Sequence, residues 1–441
     1  FRARCAPDAP PDGRSRFVTQ DTPMHHRSTL LGTALAALVL HPLGAQDVTL
    51  PTTRPAVRAA LETIRRDNAW TLEQQRTICE IPAPPFKEAA RGAELARRFE
   101  ALGLRNVRTD AEGNVIGERP GTGNGPTVVL SGHLDTVFPE GTDVSVTVDG
   151  TRMRGPGIGD DCRGLAVLLA TARALEQAKV RTDGTILFVG TVGEEGAGNL
   201  RGVRHLFAEE LKGEVDYFLS VDGTGFGVTS GAVGSNRYTV RFVGPGGHSY
   251  GAFGMPNPAH ALGRAIAKIA ELRVPNDPKT TFSVGVIRGG TSVNSIADEV
   301  SMDVDMRSES AAALDSLDRA FRAAVHAAVA EERARWPASS RALEVKLDTI
   351  GFRPAGMQPD SARIVRVAVA AARALGKSAE TGASSTDANV PISLGVPAIT
   401  IDGGGSGGGA HSLGEWYDDG ADGWVGPQWA TVIAVTLAGA R

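Results

Sequence analysis

The sequence predicts an α/β fold, in which a parallel-rich sheet flanked by helices is interrupted by an inserted ferredoxin-like α+β domain. Three short, almost wholly apolar runs, at 127–131, 185–191 and 217–221, are typical of strands buried on both faces. Helical periodicity lies between them, for instance at 165–177, and this order indicates a parallel sheet covered by helices. Between 235 and 350, the strands instead alternate polar and apolar residues, as half-solvated strands do.

The predicted elements form two groups, one inserted into the other. In the insert, strands at 237–243, 280–288, 299–307 and 343–350 and helices at 257–272 and 310–335 follow the ferredoxin-like order β-α-β-β-α-β. The flanking group has helices at 54–76, 88–102, 165–177, 361–375 and 422–438 and strands at 127–131, 185–191, 217–221 and 397–401. We therefore expect a main domain built from residues 46–234 and 351–441, with the insert at 235–350.

Composition and charge are those of an ordinary folded protein. Hydrophobic residues make up 41% of the 441 residues and charged residues 22%, which is close to globular usage. The 46 basic and 50 acidic residues give a formal net charge of −4, so nucleic acid is not expected as a partner. The three cysteines are too few for a disulfide scaffold. Histidines and carboxylates would therefore have to hold any metal.

The N-terminal 45 residues have the pattern of a processing segment. Residues 1–23 show no periodicity, whereas Met24 precedes a basic stretch, an apolar run at 30–40 and the small residues Gly44 and Ala45. This pattern is typical of a secretory signal peptide, and the run is too short for a membrane span of about 20 residues. We therefore expect a signal peptide at about 24–45, export to the periplasm or secretion, and no stable membrane anchor.

Acidic and imidazole side chains directly follow the predicted buried strands. Because ligand sites in parallel sheets form at the carboxyl ends of the strands, these side chains are expected to meet at one edge. Four separate segments contribute, which is hard to obtain by chance. The set comprises His133 and Asp135, Glu194 and Glu195, Asp222 and His411, together with Asp160 and Asp161 in a glycine-rich turn before a helix.

This combination of side chains is suited to a pair of divalent cations. Several carboxylates brought together without a cation would repel one another and take up protons. Imidazole and carboxylate ligands suit zinc, and two ions about 3.5–4 Å apart share a bridging ligand and a water. Such a centre lowers the pKa of the water and polarises a carbonyl, which is the chemistry of amide hydrolysis. One carboxylate would then have to stay off the metals as the general base.

Each motif by itself has a simpler interpretation. A histidine and an aspartate two residues apart after a strand usually form a structural pair, and adjacent glutamates usually lie in a solvated loop. The turn GPGIGDD could cradle a phosphate, although a bare Gly-x-Gly pattern is weak. Its two aspartates and its lack of lysine argue against phosphate. The metal interpretation therefore depends on all the segments together.

Six motifs stand in order along the chain: SGHLDTV (131–137), GPGIGDD (155–161), GEEG (193–196), LSVDG (219–223), GPGGHS (244–249) and GAHS (409–412). This set resembles the co-catalytic zinc peptidases and deacylases, a family that includes peptidase T, carnosine-type dipeptidases, glutamate carboxypeptidase and aminoacylase. The likeness extends from about residue 61 to the C-terminus. It implies a zinc-exopeptidase-like catalytic domain and makes the insert a lid and dimerisation domain, so a homodimer is expected.

The resemblance also implies a set of metal ligands. Two Zn²⁺ ions per subunit are expected, with Co²⁺ or Mn²⁺ as alternatives. The bridging ligand would be Asp160, whose peptide bond to the next residue is expected to be cis. His133 and Asp222 would complete one site, and Glu195 and His411 the other.

Further roles follow from the same resemblance. Glu194 would be the general base, and Asp135 would fix the tautomer of the histidine ligand two residues before it. His248 would reach into a neighbouring subunit's site and stabilise the oxyanion. Asn294 and Arg307 would bind the terminal carboxylate of the substrate, because an arginine fork suits that group.

Two features favour short peptides as substrates. In relatives, the ligand at the position of Asp222 tends to be Asp in aminopeptidases and dipeptidases and Glu in carboxypeptidases and deacylases. The segment GNLRG (198–202) also resembles the peptidase T branch. The alternative is a deacylase of N-acyl amino acids, of the acetylornithine deacetylase or succinyl-diaminopimelate desuccinylase type. A non-catalytic binding protein on this fold would be expected to lack some ligands, and none is missing.

Two cysteines are expected beside the site. Cys162 stands two residues after Asp160, where many relatives have lysine, and Cys79 lies in a segment that approaches the site in relatives. A Cys79–Cys162 disulfide and two unpaired buried thiols both remain open at this point.

Overall fold

The computed structural model describes residues 48–339 and 342–441, and within them the predicted α/β class is confirmed. A mixed sheet flanked by helices forms the larger part, and a smaller antiparallel sheet occupies the insert. The signal peptide predicted at 24–45 lies outside the described residues. No described helix is both long and apolar enough to cross a lipid bilayer.

Ten α-helices lie in the described part of the chain. They are α1 (Pro55–Arg66), α2 (Asn68–Cys79), α3 (Ala89–Ala101), α4 (Cys162–Gln177), α5 (Arg201–His205), α6 (Pro258–Ala270), α7 (Ala311–Arg335), α8 (Arg363–Ala374), α9 (Asn389–Ser393) and α10 (Val425–Leu437). The prediction of a single helix at 54–76 is wrong, because the helix is interrupted at Asp67, between α1 and α2. Asp and Asn are weak helix formers, and the Asp67 carboxylate pairs with Arg66 and Arg173 instead.

The main sheet has nine strands, of which the central four are parallel. The central strands are, in spatial order, Ile186–Thr191, Val128–His133, Tyr217–Val221 and Ala398–Ile401. The outer strands are Arg105–Thr109, Val115–Arg119, Val228–Ala232, Gly356–Met357 and Thr381–Ser384. The outer strands are short or partly polar, so apolar runs in the sequence do not reveal them. Separate hydrophobic clusters cover the two faces, with α4 and α10 on one face and α5 and α9 on the other.

The insert forms a second, four-stranded antiparallel sheet. Its strands lie in the order Thr280–Gly289, Glu299–Ser308, Gly234–Val243 and Glu344–Arg353, which is the spatial order of a ferredoxin-like unit. Helices α6 and α7 pack against one face around a core of their own that includes Phe242 and Phe321. The division of the chain into domains at 46–234, 235–350 and 351–441 remains a prediction.

A third sheet includes part of the glycine-rich stretch at 403–409, close to the predicted site. Its strands are Thr147–Asp149, Arg152–Arg154, Trp416–Asp418 and Ser406–Gly408. The low-complexity stretch GGGSGGG (403–409) is therefore ordered, and Gly404 and Gly405 adopt left-handed φ values of 83° and 67° there. In the insert, Gly247–His248 and Ser295–Ile296 form a separate two-stranded ladder.

Candidate metal centre and active site

The carboxyl ends of the central strands bring the predicted residues together at one edge of the main sheet. His133 ends its strand opposite Thr191, so Glu194 follows only three residues beyond the neighbouring strand. Asp222 directly follows Tyr217–Val221, and its N–H donates to the carbonyl of Ile401 at 3.0 Å. The parallel register thus produces the convergence that the sequence predicts.

The Asp160 carboxylate lies between two histidines. Its Oδ1 is 2.9 Å from Nε2 of His133, and its Oδ2 is 3.1 Å from Nε2 of His411. Glu195 Oε1 lies 2.8 Å from the same His411 nitrogen, and Asp222 Oδ1 lies 3.9 Å from the His133 nitrogen. The two oxygens of Asp160 therefore lie in different clusters of side chains, one around His133 and the other around His411.

These donor atoms fit two metal ions that share one carboxylate. One group is His133, Asp160 and Asp222, and another is Asp160, Glu195 and His411, with the donor atoms of each group within 4.8 Å of one another. Imidazole nitrogens together with carboxylate oxygens suit zinc, and such mixed sites also accept cobalt or manganese. The assignment of each ligand to an ion remains a prediction.

Burial leaves these groups in need of a counter-charge. Burial raises the pKa of Asp222 to about 7, and the charge of Asp160 adds to the effect. The hydrogen bond with Asp160 raises the pKa of His411 to about 9. For His133, burial opposes the charged form, but the nearby carboxylates of Asp135 and Asp160 outweigh it and raise the pKa well above its usual value. In the metal-free protein, protons therefore occupy groups that a cation would otherwise neutralise.

Glu194 is held by Arg353, which the sequence analysis missed. Arg353 Nη1 donates to Glu194 Oε1 at 2.9 Å and to Ser385 Oγ at 3.0 Å, and Nη2 donates to the Glu194 carbonyl. Burial raises the pKa of Glu194 well above its usual value, while the charge of Arg353 opposes this rise. An arginine at the end of a strand in the insert has no diagnostic spacing, so only the tertiary contact identifies it.

Asp135 contacts both its predicted partner, His133, and the loop that carries the predicted general base, Glu194. Nδ1 of His133 lies 3.0 Å from the Asp135 backbone oxygen and 3.6 Å from its Oδ1, which is too long for a hydrogen bond to the carboxylate. The carboxylate instead accepts the N–H groups of Glu194 and Glu195 at 3.0 and 2.8 Å. The main chain of Asp135 thus faces the imidazole, and its side chain orders the two glutamates.

The residues directly after Asp160 are held in place by hydrogen bonds and a disulfide. The peptide bond between Asp160 and Asp161 is cis, as the resemblance implies. The Asp161 carboxylate caps α4 by accepting the N–H of Gly164, and its other oxygen accepts the N–H of His133, both at 2.9 Å. The two cysteines form a disulfide, Cys79–Cys162, with Cα atoms 5.4 Å apart, and this bond joins the end of α2 to the start of α4.

Glu415 is a second residue that the sequence analysis missed. Its side chain is 1% exposed, and it accepts the N–H groups of Gly157, Gly159 and Asp160 at 2.8, 2.8 and 2.9 Å. Glu415 follows His411 by four residues, so one short segment both carries a predicted metal ligand and clamps the turn of Asp160. A glutamate in a glycine-rich segment gives no signal of such a role before the fold is known.

The three predicted residues of the insert occupy two different places. Arg307 lines the cavity beside the predicted metal ligands, and its Nε donates to Asp305 at 2.8 Å. His248 and Asn294 are exposed and close to each other, since His248 pairs with Ser295, but they lie outside this cavity. Within one subunit, the structure therefore brings Arg307 to the site and does not bring His248 or Asn294 there.

A cavity of about 620 Å³ opens beside the predicted metal ligands. Besides these ligands and Glu194, its wall carries several hydroxyl groups, the arginines Arg237, Arg307 and Arg353, and the carboxylate of Asp402. Ligand cavities of about 300–1,000 Å³ hold small organic molecules. A polar molecule with both positive and negative groups would match this wall.

Replacing Glu415 by glutamine is expected to weaken metal binding. The amide keeps the shape but loses one acceptor oxygen and the charge, so an N–H group that positions Asp160 loses its partner. The loss of such a supporting contact typically costs about 10–100-fold in metal affinity. Calorimetric titration of the metal-free protein with zinc measures it. Glu332→Gln is the matched control, because Glu332 is a fully buried glutamate in the insert, and equal zinc affinity of the two variants would contradict this role.

The metal-free protein is expected to lose stability as the pH rises. In the folded state, Asp222 holds its proton to a pKa of about 7 instead of 3.8, and His411 to about 9 instead of 6.5. Because the folded chain then binds more protons than the unfolded chain, stability falls from about pH 4 to about pH 9.

Thermal denaturation from pH 5 to 9.5, with chelator or with zinc, measures this dependence. The fall should disappear with zinc, since the metal replaces the protons. The metal-free His411→Asn variant should lose the part of the fall above about pH 7. A metal-free protein whose stability increases with pH over this range would contradict the prediction.

Solved structures of other proteins have the same fold. The aminopeptidase PepT of Bacillus cereus matches with a TM-score of 0.68 and 21% identity, over 86% of this chain and 98% of that chain. A tripeptidase of Staphylococcus aureus matches with a TM-score of 0.69 and 22% identity, over 83% of this chain and 98% of that chain. At these identities, the likeness establishes the fold alone.

Sequence relatives cover different shares of the chain. The uncharacterized protein YqjE of Bacillus subtilis is 27% identical over 350 residues, which are 75% of this chain and 89% of that protein. Carboxypeptidase G2 of Pseudomonas is 34% identical over 171 residues, 36% of this chain and 40% of that enzyme. The succinyl-diaminopimelate desuccinylase of Aromatoleum aromaticum is 29% identical over 220 residues, 46% of this chain and 57% of that enzyme.

These relatives overturn the predicted location of the protein. PepT, the desuccinylases and YqjE are typically cytoplasmic proteins. The prediction of export to the periplasm or of secretion is therefore wrong. It rested on a short apolar run behind basic residues at 24–45, and hydrophobicity over so few residues is a weak basis for assigning a location.

One family accounts for these likenesses. Residues 129–424 match peptidase family M20/M25/M40, and this span contains the predicted metal ligands, Glu194 and the insert. The family is a group of dinuclear metal-binding peptidases, so the resemblance to the zinc peptidases and deacylases is confirmed. The chain is therefore a hydrolase that belongs to peptidase family M20/M25/M40.

Proposed function

We propose that the protein is a dinuclear zinc exopeptidase that hydrolyses short peptides, of the aminopeptidase, dipeptidase or tripeptidase type. The observation that carries the proposal is the Asp160 carboxylate between His133 and His411, with Glu194 at the same edge of the sheet. The aspartate at position 222 and the shared fold with an aminopeptidase and a tripeptidase support peptides as substrates.

The side chains divide the work of amide hydrolysis. When bound, a pair of zinc ions supplies polarisation of the scissile carbonyl and a water of lowered pKa. Glu194 takes the proton of the attacking water and delivers it to the leaving nitrogen. Burial raises the pKa of Glu194, which suits a group that must hold this proton between the two steps. Arg353 binds Oε1 of Glu194 at 2.9 Å, which fixes the side chain and leaves Oε2 for the water.

A homodimer formed through the insert would complete the site. His248 and Asn294 are exposed and outside the cavity of their own chain, so they are free to reach a second copy. Among the residues that the structure describes, the edge strand Thr280–Gly289 exposes Ile287 and pairs on one side only. In this arrangement, His248 would stabilise the oxyanion in the neighbouring site, and Asn294 and Arg307 would bind the terminal carboxylate.

The alternative is a deacylase of N-acyl amino acids. The likeness to succinyl-diaminopimelate desuccinylases and the arginines in the cavity wall would suit a substrate with two carboxylates. However, Arg237 and Arg307 both donate to Asp305 at 2.8 Å, and Arg353 pairs with Glu194. Because these contacts neutralise most of the positive charge, the cavity favours a short peptide with a single terminal carboxylate.

Glu194→Gln is expected to abolish hydrolysis and to retain the metals. Without a carboxylate, no group takes the proton of the water, so kcat should fall by about 10²–10⁴-fold. Tripeptides, N-acetyl amino acids and N-succinyl amino acids are assayed together, and metal content is measured on the same samples.

The control for this variant is Glu140→Gln, because Glu140 is an exposed glutamate that pairs with Lys87. It should leave activity unchanged. A Glu194→Gln protein that keeps wild-type activity would show that Glu194 is not the general base. A wild type that cleaves only N-acyl amino acids would establish the alternative.

Two inactive variants are expected to restore activity when they are mixed. If His248 acts in the neighbouring site, a dimer of one His248→Ala and one Glu194→Gln subunit contains one complete site. Mixing equal amounts, after dissociation and reassociation, should therefore recover about a quarter of the wild-type activity. Sedimentation measures the oligomeric state in parallel. A monomeric wild type, or a mixture no more active than its components, would contradict the proposed dimer site.

A further inference from the structure

Asp402 is a cavity carboxylate that the proposed mechanism does not use. It directly follows the strand Ala398–Ile401 and lines the same cavity as the predicted metal ligands. In the parallel register, Ile401 lies beside Val221, so Asp402 and the predicted ligand Asp222 leave neighbouring strands at the same level. The Asp402 carboxylate is therefore one strand away from the metal centre.

The surrounding backbone leaves room for this carboxylate and holds one of its oxygens. The N–H of Gly227 donates to Oδ2 of Asp402 at 2.6 Å, and the N–H of Asp402 donates back to the Gly227 carbonyl at 3.2 Å. A Cβ atom at Gly225 or Gly227 would lie only 2.9 or 3.0 Å from Oδ2. Side chains at these two positions would thus displace the carboxylate.

Asp402 lines the cavity without a protein cation beside it. No lysine, arginine or histidine within residues 48–339 and 342–441 forms an ion pair with Asp402, whereas Glu194 in the same cavity pairs with Arg353. Burial raises the pKa of Asp402 to about 6, and the Gly227 N–H opposes this rise. A half-buried carboxylate of this kind is stabilised by a cation that arrives with the ligand.

We propose that Asp402 binds the free α-ammonium group of a peptide substrate. This inference rests on the proposed function. In a peptide cleaved after its first residue, the ammonium nitrogen is two bonds from the scissile carbonyl carbon, so the group that recognises it must stand close to the metal ligands. The position of Asp402 beside Asp222 meets this requirement.

The same contact makes the cavity selective against N-acyl amino acids. An acylated amine carries no positive charge, so it cannot replace the missing partner of Asp402. For the other end of the substrate, the cavity wall offers Arg307, which belongs to the insert strand Glu299–Ser308. Asp402 and Arg307 would thus bind the opposite charges of a short zwitterionic peptide.

The test compares trialanine with propionyl-dialanine, which lacks only the amino group. With the zinc-loaded protein, kcat/KM for trialanine should exceed that for propionyl-dialanine by about 10–100-fold, as expected of a charge-assisted hydrogen bond. Asp402→Asn, which can still accept the Gly227 N–H, should lower kcat/KM for trialanine to the level of propionyl-dialanine and leave the latter unchanged. Asp422→Asn is the control, since Asp422 pairs with Lys377 at 2.6 Å outside the cavity lining.

Each other outcome rejects a specific part of the inference. An unchanged preference in Asp402→Asn, or an equal loss on both substrates, would show that Asp402 does not recognise the ammonium group. A wild type that cleaves propionyl-dialanine faster than trialanine would overturn the proposed function, and the inference with it. Asp402→Ser is prepared alongside, and circular dichroism and zinc content establish which variants are folded and loaded.

Discussion

The candidate metal centre depends on one carboxylate, that of Asp160, which lies between two imidazoles. Because its oxygens lie 2.9 Å from His133 and 3.1 Å from His411, neither donor group is complete without it. Bringing so many ionisable groups out of water is unfavourable unless protons or cations compensate their charges. The fold must therefore hold this turn in place before any ligand binds.

The contacts around Asp160 meet that requirement largely through the backbone. Glu415 accepts three N–H groups of the turn, and Arg163 donates to the carbonyls of Gly403 and Gly423 at 2.8 and 2.7 Å. An anion and a cation, both buried, thus tie the turn to the segment that carries the last predicted metal ligand. Each charge is satisfied by several backbone groups, so neither is left unpaired inside the protein.

The insert contributes charged side chains to the cavity. Arg237, Arg307 and Arg353 lie on three of its four strands, and all three reach the cavity. Arg353 binds Glu194, so the insert directly orders the proposed general base. The main sheet supplies the acidic side of the cavity, including Asp402. The groups proposed for catalysis and for substrate recognition therefore depend on the contact between the two sheets.

The sequence by itself determined the parallel core, the ferredoxin-like order of the insert and the set of candidate metal ligands, because buried strands and motif spacing are local patterns. It did not reveal the outer strands, which are too short or too polar to appear as apolar runs. It also did not reveal the end of the first helix at Asp67, whose carboxylate pairs with Arg66 and Arg173. Only the tertiary structure likewise reveals the contacts of Arg353, Glu415 and Asp402. Each acts through a partner distant in sequence, and no local pattern encodes such a contact.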